Sequence, residues 1–255
     1  MYNIIADLHT HTIASTHAYS TIAEMVSAAK RKNLYAIAIT DHARMTPGAP
    51  GEFYFEALCN LPLIQEGVKV ITGMEANILD FDGNIDYRPK DNINFLIASV
   101  HRIPHISLDN PTIEKCTQMY LNIAHNKYIN AIGHPGSNTH KFDYDIVIPE
   151  FKKNNKIVEI NAKSFLTRKE NVQNCREIAL ACKKFDAPIM VSSDAHFHTE
   201  VACFDSALEM LSEINFPEEL IINSSVERLE EYLTKHTNII ENRKIISGGF
   251  WCIKF

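Results

Sequence analysis

Asp7-Leu8-His9-Thr10-His11 closes the first apolar run of the chain, Ile4-Ile5-Ala6, and is followed six residues later by His17. Side chains alternate along a strand, so His9 and His11 leave one face about 6.6 Å apart along the backbone, and both imidazoles can reach one metal ion. By the same alternation Asp7 shares that face and is a candidate for orienting a ligand imidazole from behind. His17 lies past a turn-like Ala14-Ser15-Thr16 stretch and is expected to serve a neighbouring ion or none.

Outward from this stretch, short β-branched runs alternate with amphipathic ones, the pattern of βα units around a parallel sheet. Thr21-Ile22-Ala23-Glu24 is a capping-box signature opening a helix to about Lys32. The run 35–41 is a strand that delivers His42, and Asp41 beside it is expected to cap the next helix. Pro47 to Gly51 leads to a helix over 53–65. The strand 68–72 delivers Glu75, and Asp82-Gly83 marks a small hairpin in the loop that follows. The strand 94–100 ends at His101. A helix runs from Pro111 to His125, with proline in its first turn. The strand 128–132 ends at Gly133-His134. Helix 144–154, strand 157–160 ending at Asn161, and helix 170–185 follow. The strand 188–192 ends at Ser193-Asp194-Ala195-His196, and helices over 200–213 and 225–236 precede an apolar tail containing Phe250, Trp251, Cys252 and Ile253, expected to pack on its own barrel.

The length of 255 residues suits one large domain, residues 1–255, because α/β barrels reach this size undivided. Hydrophobic residues at 45% allow a substantial core, and a net charge of −6 speaks against a long nucleic acid as partner. Lys152, Lys153, Lys156, Lys183 and Lys184 read as solvated helix ends. The 6 cysteines show no metal-finger or redox spacing and read as reduced thiols. The chain opens on a strand, and no apolar run approaches the roughly 20 residues that span a bilayer, so no membrane association and a cytoplasmic location are expected.

Each of the seven strands has a polar, mostly metal-competent residue at its C-terminal end, the end of a parallel barrel where active sites assemble. Seven of the 12 histidines fall at or just past strand ends. His125, His140 and His236 read as surface residues, and His105 and His198 as loop residues that could donate a proton.

From Asp7 through His11-Thr-Ile-Ala-Ser-Thr-His17-Ala-Tyr-Ser20, and on in order to His196, the chain resembles the PHP (polymerase and histidinol phosphatase) superfamily, most closely its YcdX-like phosphatase branch. That resemblance implies a distorted (β/α)7 barrel holding three divalent metal ions. It implies one ion held by His9, His11, Glu75 and Asp194, a second by Glu75, His101 and His134, and a third by His17, His42 and His196. All these positions carry the expected residue type.

Nitrogen and carboxylate ligands without thiolate suit zinc first, with manganese or iron as alternatives. Three divalent ions, less two carboxylates and a bridging hydroxide, leave a surplus near +3 that favours a small phosphate ester, hydrolysed by in-line attack of that hydroxide, held at Glu75, on phosphorus. Arg168 above all, then Arg102 and Lys163, lie in loops after strands where a cation could hold phosphate. Arg102 and Lys163 depart from the YcdX-like pattern, which bears on substrate specificity rather than on metal binding. Two other readings stay open: a metal-dependent amidohydrolase, which shares the opening His-x-His but would want a bridging lysine where Glu75 stands, and a nucleotide or oligonucleotide phosphodiesterase of the same superfamily. A barrel that binds metal or a partner without catalysis is disfavoured by the complete ligand set.

Overall fold

The computed structural model describes residues 2–88, 93–104, 106 and 108–237. His105 and the apolar tail fall outside the described residues. Seven parallel strands form a nearly closed barrel in chain order: β1 (Ala6–Thr10), β2 (Ala36–Ile39), β3 (Val68–Asn77), β4 (Phe95–Ser99), β5 (Ala131–Ile132), β6 (Ile157–Asn161) and β7 (Ile189–Ser192). The two-residue segment Ile64–Gln65 adds an antiparallel flap to the start of β3.

The strands are buried on both faces, and their alternation sorts them into two cores. Leu8, Ala38, Ile71, Phe95, Ile97, Ile157 and Met190 fill the barrel. Ile37, Val70, Leu96, Val158 and Val191 face outward, against the surrounding helices. Those are α1 (Ile22–Arg31), α2 (Glu52–Ala57), α3 (Ile113–His125), α4 (Tyr144–Lys153), α5 (Lys163–Thr167), α6 (Val172–Phe185) and α7 (Asp205–Glu213). The last, α8 (Val226–His236), closes the floor: Leu229, Tyr232 and Leu233 join the inner core. The Tyr232 hydroxyl donates to Asn130 O at 3.0 Å and Asn155 O at 3.1 Å, near the entries to β5 and β6.

Two irregularities shape the barrel. Between β1 and β2 the register slips: Asp7 pairs with Ile37 but Thr10 with Ile39, so Leu8 and His9 together stand opposite Ala38. This is the two-against-one count of a bulge. It lets Leu8 fill the barrel while His9 and His11 enter the same interior one layer higher. Asp7 leaves by the other side. The second irregularity is the seam between β1 and β7: among the described residues no ladder joins these strands, and Thr10 forms an isolated bridge with Ala195, just past the end of β7. Asn223 staples the seam below: its Nδ2 donates to Ala6 O and Val191 O, both at 2.7 Å, its Oδ1 accepts from Val191 N at 3.1 Å, and its carbonyl accepts from Ile5 N at 2.9 Å.

The capping box forms: Thr21 Oγ1 accepts from Glu24 N, and Glu24 Oε2 accepts from Thr21 N. Elsewhere element ends moved. The helix expected over 53–65 stops at Ala57, continues as a 3-10 turn over Leu58–Asn60, and cannot pass Pro62, which forces the preceding residue toward extended backbone. α3 starts at Ile113 with Thr112 as its cap, leaving Pro111 outside the first turn. The strand expected over 128–132 is reduced to Ala131–Ile132, and just upstream Lys156 Nζ donates to the carbonyls of Asn126 (2.6 Å) and Ile129 (2.7 Å). Lys156 is therefore buried rather than a solvated helix end. The short α5 was not foreseen, and the helices expected from 170 and 200 start at Val172 and Asp205, each after a 3-10 turn.

Candidate metal centre

Glu75 stands at the middle of the upper rim. It lies two residues beyond Gly73 on the inward parity of β3, within the strand rather than past its end. A Cβ on Gly73 would sit 2.6 Å from Phe95 O, so glycine is what lets β4 come this close beneath the carboxylate. Five imidazoles converge on it: His134 Nε2 at 2.9 Å, His101 Nε2 at 3.2 Å and His9 Nε2 at 3.3 Å from Oε1, and His42 Nδ1 at 2.8 Å and His11 Nε2 at 3.5 Å from Oε2. Asp194 Oδ1 lies 3.3 Å from His11 Nε2 and 3.9 Å from His9 Nε2. His17 Nε2 lies 3.3 Å from His42 Nε2, and the rings of His17 and His196 are 4.7 Å apart. The fold thus gathers all nine residues singled out from the sequence.

These contacts are close, yet many are not hydrogen bonds. Among the described residues, His9 Nε2, both ring nitrogens of His11, His42 Nδ1 and Glu75 Oε2 are buried with no hydrogen-bond partner. Orphaned buried polar atoms are costly, and lone pairs facing one another at about 3 Å are stabilised by a cation between them. Three sets have ligand atoms within 4.8 Å of one another: His9, His11 and Glu75; His42, Glu75 and His101; His11, His42 and His196. The donor set fits divalent ions. His42 also touches the central carboxylate, a closer link between the expected ion positions than the resemblance implied.

The electrostatics prepare the same state. Burial would raise the pKa of Glu75, but His101, His9 and His42 hold it well below the carboxylate range; His9 and His11 do the same for buried Asp194. Burial and His42 push His11 well below the imidazole range, and burial takes His196 down to about 4. Ionised carboxylates and neutral imidazoles are the forms that ligate metal. His9 is the exception. Burial lowers its pKa, but Glu159, Glu75 and Asp194 outweigh that and raise it well above the ordinary value.

Glu159 is the site residue that sequence reasoning missed. His9 Nδ1 donates to its Oε1 at 2.6 Å, His134 N donates to Oε2 and Ser192 Oγ to Oε1, so one buried carboxylate orients two of the histidines. A signal was available: an acid inside the apolar run Ile157-Val-Glu-Ile160 must be paired where it is buried. Asn77 Oδ1 accepts from His101 Nδ1 at 2.7 Å, and Asn161 Nδ2 donates to Asp194 Oδ2 at 3.1 Å.

The expectation for Asp7 is corrected. Because of the bulge it touches no histidine; it accepts from Ser193 N (3.1 Å), Ser193 Oγ (2.5 Å) and Ala202 N (3.0 Å), fixing the turn that carries Asp194 and His196. Asp194 there has φ +55°, and His134 has φ +28°, so two of the nine residues sit in strained backbone. Asp41 caps no helix: it accepts from Thr12 N, Thr12 Oγ1, Ser15 Oγ and Tyr54 OH at 2.5–2.8 Å and holds the loop that brings in His17. His140 is buried rather than superficial, its Nδ1 3.0 Å from Thr139 Oγ1. His198 pairs with Ser20 Oγ at 3.1 Å.

A cleft of about 190 Å³ opens above the cluster, with Arg102 and Arg168 among its walls. Arg168 Nη2 lies 3.9 Å from Asp194 Oδ2. Lys163 is engaged elsewhere: its Nζ donates to Asp194 O and lies 3.0 Å from His196 Nδ1 and 3.3 Å from Glu200 Oε2.

Comparison with known proteins adds to this geometry. A family model described as the PHP domain matches residues 7–163. A protein of Acetivibrio thermocellus named a probable phosphatase is 38% identical over 242 residues, 94% of this chain and 99% of that protein. A second probable phosphatase, from Caldicellulosiruptor saccharolyticus, is 40% identical over 238 residues, 92% of this chain and 98% of its own length. The crystal structure of histidinol phosphate phosphatase from Lactococcus lactis, complexed with zinc, L-histidinol and phosphate, superposes with a TM-score of 0.61 at 20% identity, over 83% of this chain and 94% of that one, a likeness of fold.

Proposed function

The chain belongs to the PHP domain family, and from that membership we propose that it is a phosphatase hydrolysing a small phosphate ester at a site for three divalent ions. The observation that carries this reading is the set of buried, partnerless ligand atoms around Glu75 and His11. One ion would be held by His9, His11, Glu75 and Asp194, a second by Glu75, His101 and His134, and a third by His17, His42 and His196. Zinc is the first choice, supported by the zinc in the Lactococcus lactis phosphatase and by the nitrogen-rich donor set, with manganese or iron next. When bound, such ions supply Lewis acidity toward phosphoryl oxygens and a water acidified from a pKa of about 15.7 toward about 7.

The chain's own residues do the rest. Arg102 and Arg168, both lining the cleft, would hold non-bridging phosphoryl oxygens through their planar forks. Lys163, with its ammonium on His196 and Glu200, is better suited to positioning His196 than to holding phosphate. Glu159 presents the Nε2 of His9 by accepting its Nδ1–H, and Asn77 does the same for His101. The amidohydrolase reading loses support because the central bridging position carries a carboxylate ringed by five imidazoles, where that chemistry would want a lysine. Among the described residues no helix is long and apolar enough to cross a membrane. Free thiols at Cys116, Cys175, Cys182 and Cys203 support a cytoplasmic location.

The test combines elemental analysis of the purified protein with a screen of phosphomonoesters, phosphodiesters and amides. Three ions per chain with monoester turnover is the expected result; amide turnover with inert phosphates would reverse the reading. Replacing Glu75 with Gln should cost activity by roughly 10³-fold or more, because two of the ion positions depend on that carboxylate. Near-normal turnover in Glu75→Gln would count decisively against the assignment.

A further inference from the structure

Resting on the phosphatase reading above, we propose that the leaving group is a hydroxyl-rich alcohol, a sugar or polyol, seated in a second compartment beside the metal cleft. This compartment, of about 310 Å³, shares His101, Arg102, His134 and Arg168 with the cleft and continues between the segments 137–140 and 168–171. An ester whose phosphoryl group is clamped by the two shared arginines therefore has its alcohol portion directed there. The volume is at the small end of the roughly 300–1,000 Å³ usual for ligand pockets, which suits a single ring or a short chain.

The lining defines the chemistry. Beyond the shared residues it is Ser137, Asn138, Thr139, Glu170 and Asn171, with Val100 as the apolar exception and His140 behind. Hydroxyls and amides donate and accept, and the carboxylate accepts, which together is what vicinal hydroxyls require. Among the described residues no Phe, Tyr or Trp lines either compartment, so the large rings that best hold a nucleobase or an aryl group are lacking and only imidazole and guanidinium faces remain.

The wall is also ordered in advance. Ser137 Oγ lies 3.0 Å from Thr139 Oγ1, which lies 3.0 Å from Nδ1 of buried His140, so the two hydroxyls form a chain anchored in the protein. Asn138 N donates to Asn171 Oδ1 at 3.0 Å, tying the two segments together. Gly136, just upstream, packs so tightly that a Cβ there would fall 2.4 Å from Cys175 Sγ, and its carbonyl accepts from Asn174 Nδ2 at 3.3 Å. A wall held this way loses little entropy when it binds a ligand.

The experiment measures kcat/KM of the metal-loaded full-length protein for a pentose phosphate, a hexose phosphate and glycerol phosphate against benzyl phosphate, adenosine monophosphate and histidinol phosphate. Benzyl phosphate is chosen because its alkyl leaving group has intrinsic reactivity comparable to the sugar esters. At least one sugar or polyol phosphate should exceed the other three by roughly tenfold, about the discrimination lost with one or two hydrogen bonds. Ser137→Ala and Asn138→Ala should each shrink that preference several-fold. A preference for the benzyl or adenosine ester, or for the amino alcohol ester through Glu170, would overturn the proposal while leaving the phosphatase reading intact. An unmoved preference in both variants would overturn the assignment of the compartment. Inertness toward every monoester would overturn both readings together.

Discussion

Glu159 illustrates how much a single buried side chain can organise. It is fully enclosed, and burial alone would raise its pKa; His9 and the hydrogen bond from that ring are what bring it below the carboxylate range. Exchanging it for Gln keeps the shape but removes the charge that fixes the His9 tautomer. Carboxylates behind metal-bound histidines typically contribute about 10- to 100-fold in metal affinity. We expect Glu159→Gln to weaken zinc retention by that factor in a chelator competition while the far-ultraviolet circular dichroism stays unchanged. Equal retention in variant and parent would show that the carboxylate is structural only. His9 and His11 were legible because their residue type and spacing are local. Asp7 was misassigned because a bulge, which depends on the partner strand, inverted the alternation between it and His9.

At the scale of elements, the seam and floor of the barrel carry testable weight. Asn223 makes three side-chain bonds to the main chain of β1 and β7, where no ladder joins the strands. Asn223→Ala leaves two buried carbonyls and one N–H short of a partner, a loss of about 3 kcal/mol. Urea denaturation should register it as a lower midpoint with an unchanged slope; an unshifted midpoint would mean that packing alone closes the seam. Lys156 provides a second handle. Burial takes its pKa from the ordinary lysine value of 10.5 down to about 8, so between pH 8 and 10.5 the folded chain binds fewer protons than the unfolded one. Stability contributed at this position must therefore rise with pH across that window, and the full cost of burying the charge is present below it. Lys156→Met should abolish this rise in pH-dependent unfolding curves. A rise that persists in the variant would place its origin elsewhere. Neither feature was readable beforehand, since an asparagine in a loop and a lysine after a helix look like solvent-facing residues until the strands they serve are in place.

At the scale of the molecule, the candidate ion positions tie together the ends of six strands, all but β6, whose own contribution is Glu159 and Asn161 behind them. Ligands that bind only the folded state stabilise it by mass action, about 4 kcal/mol at a thousandfold excess over Kd. Stripping the protein with a chelator should lower Tm on the order of 10 °C, and zinc should restore it. A chelator-insensitive Tm in a protein first shown to contain metal would mean that the rim is held by the apoprotein alone. The (β/α)7 barrel and the family were readable from the chain by itself, because both rest on short-range regularities: apolar runs of strand length, capping signals, and a histidine or acid at one strand end after another. Tertiary structure alone decided where β1 bulges, which side chain staples its open seam, that Glu159 stands behind His9, and that Lys163 is drawn onto His196 and Glu200. Those outcomes depend on which atoms meet across barrel walls, and contacts between residues distant in the chain leave no periodic trace in sequence.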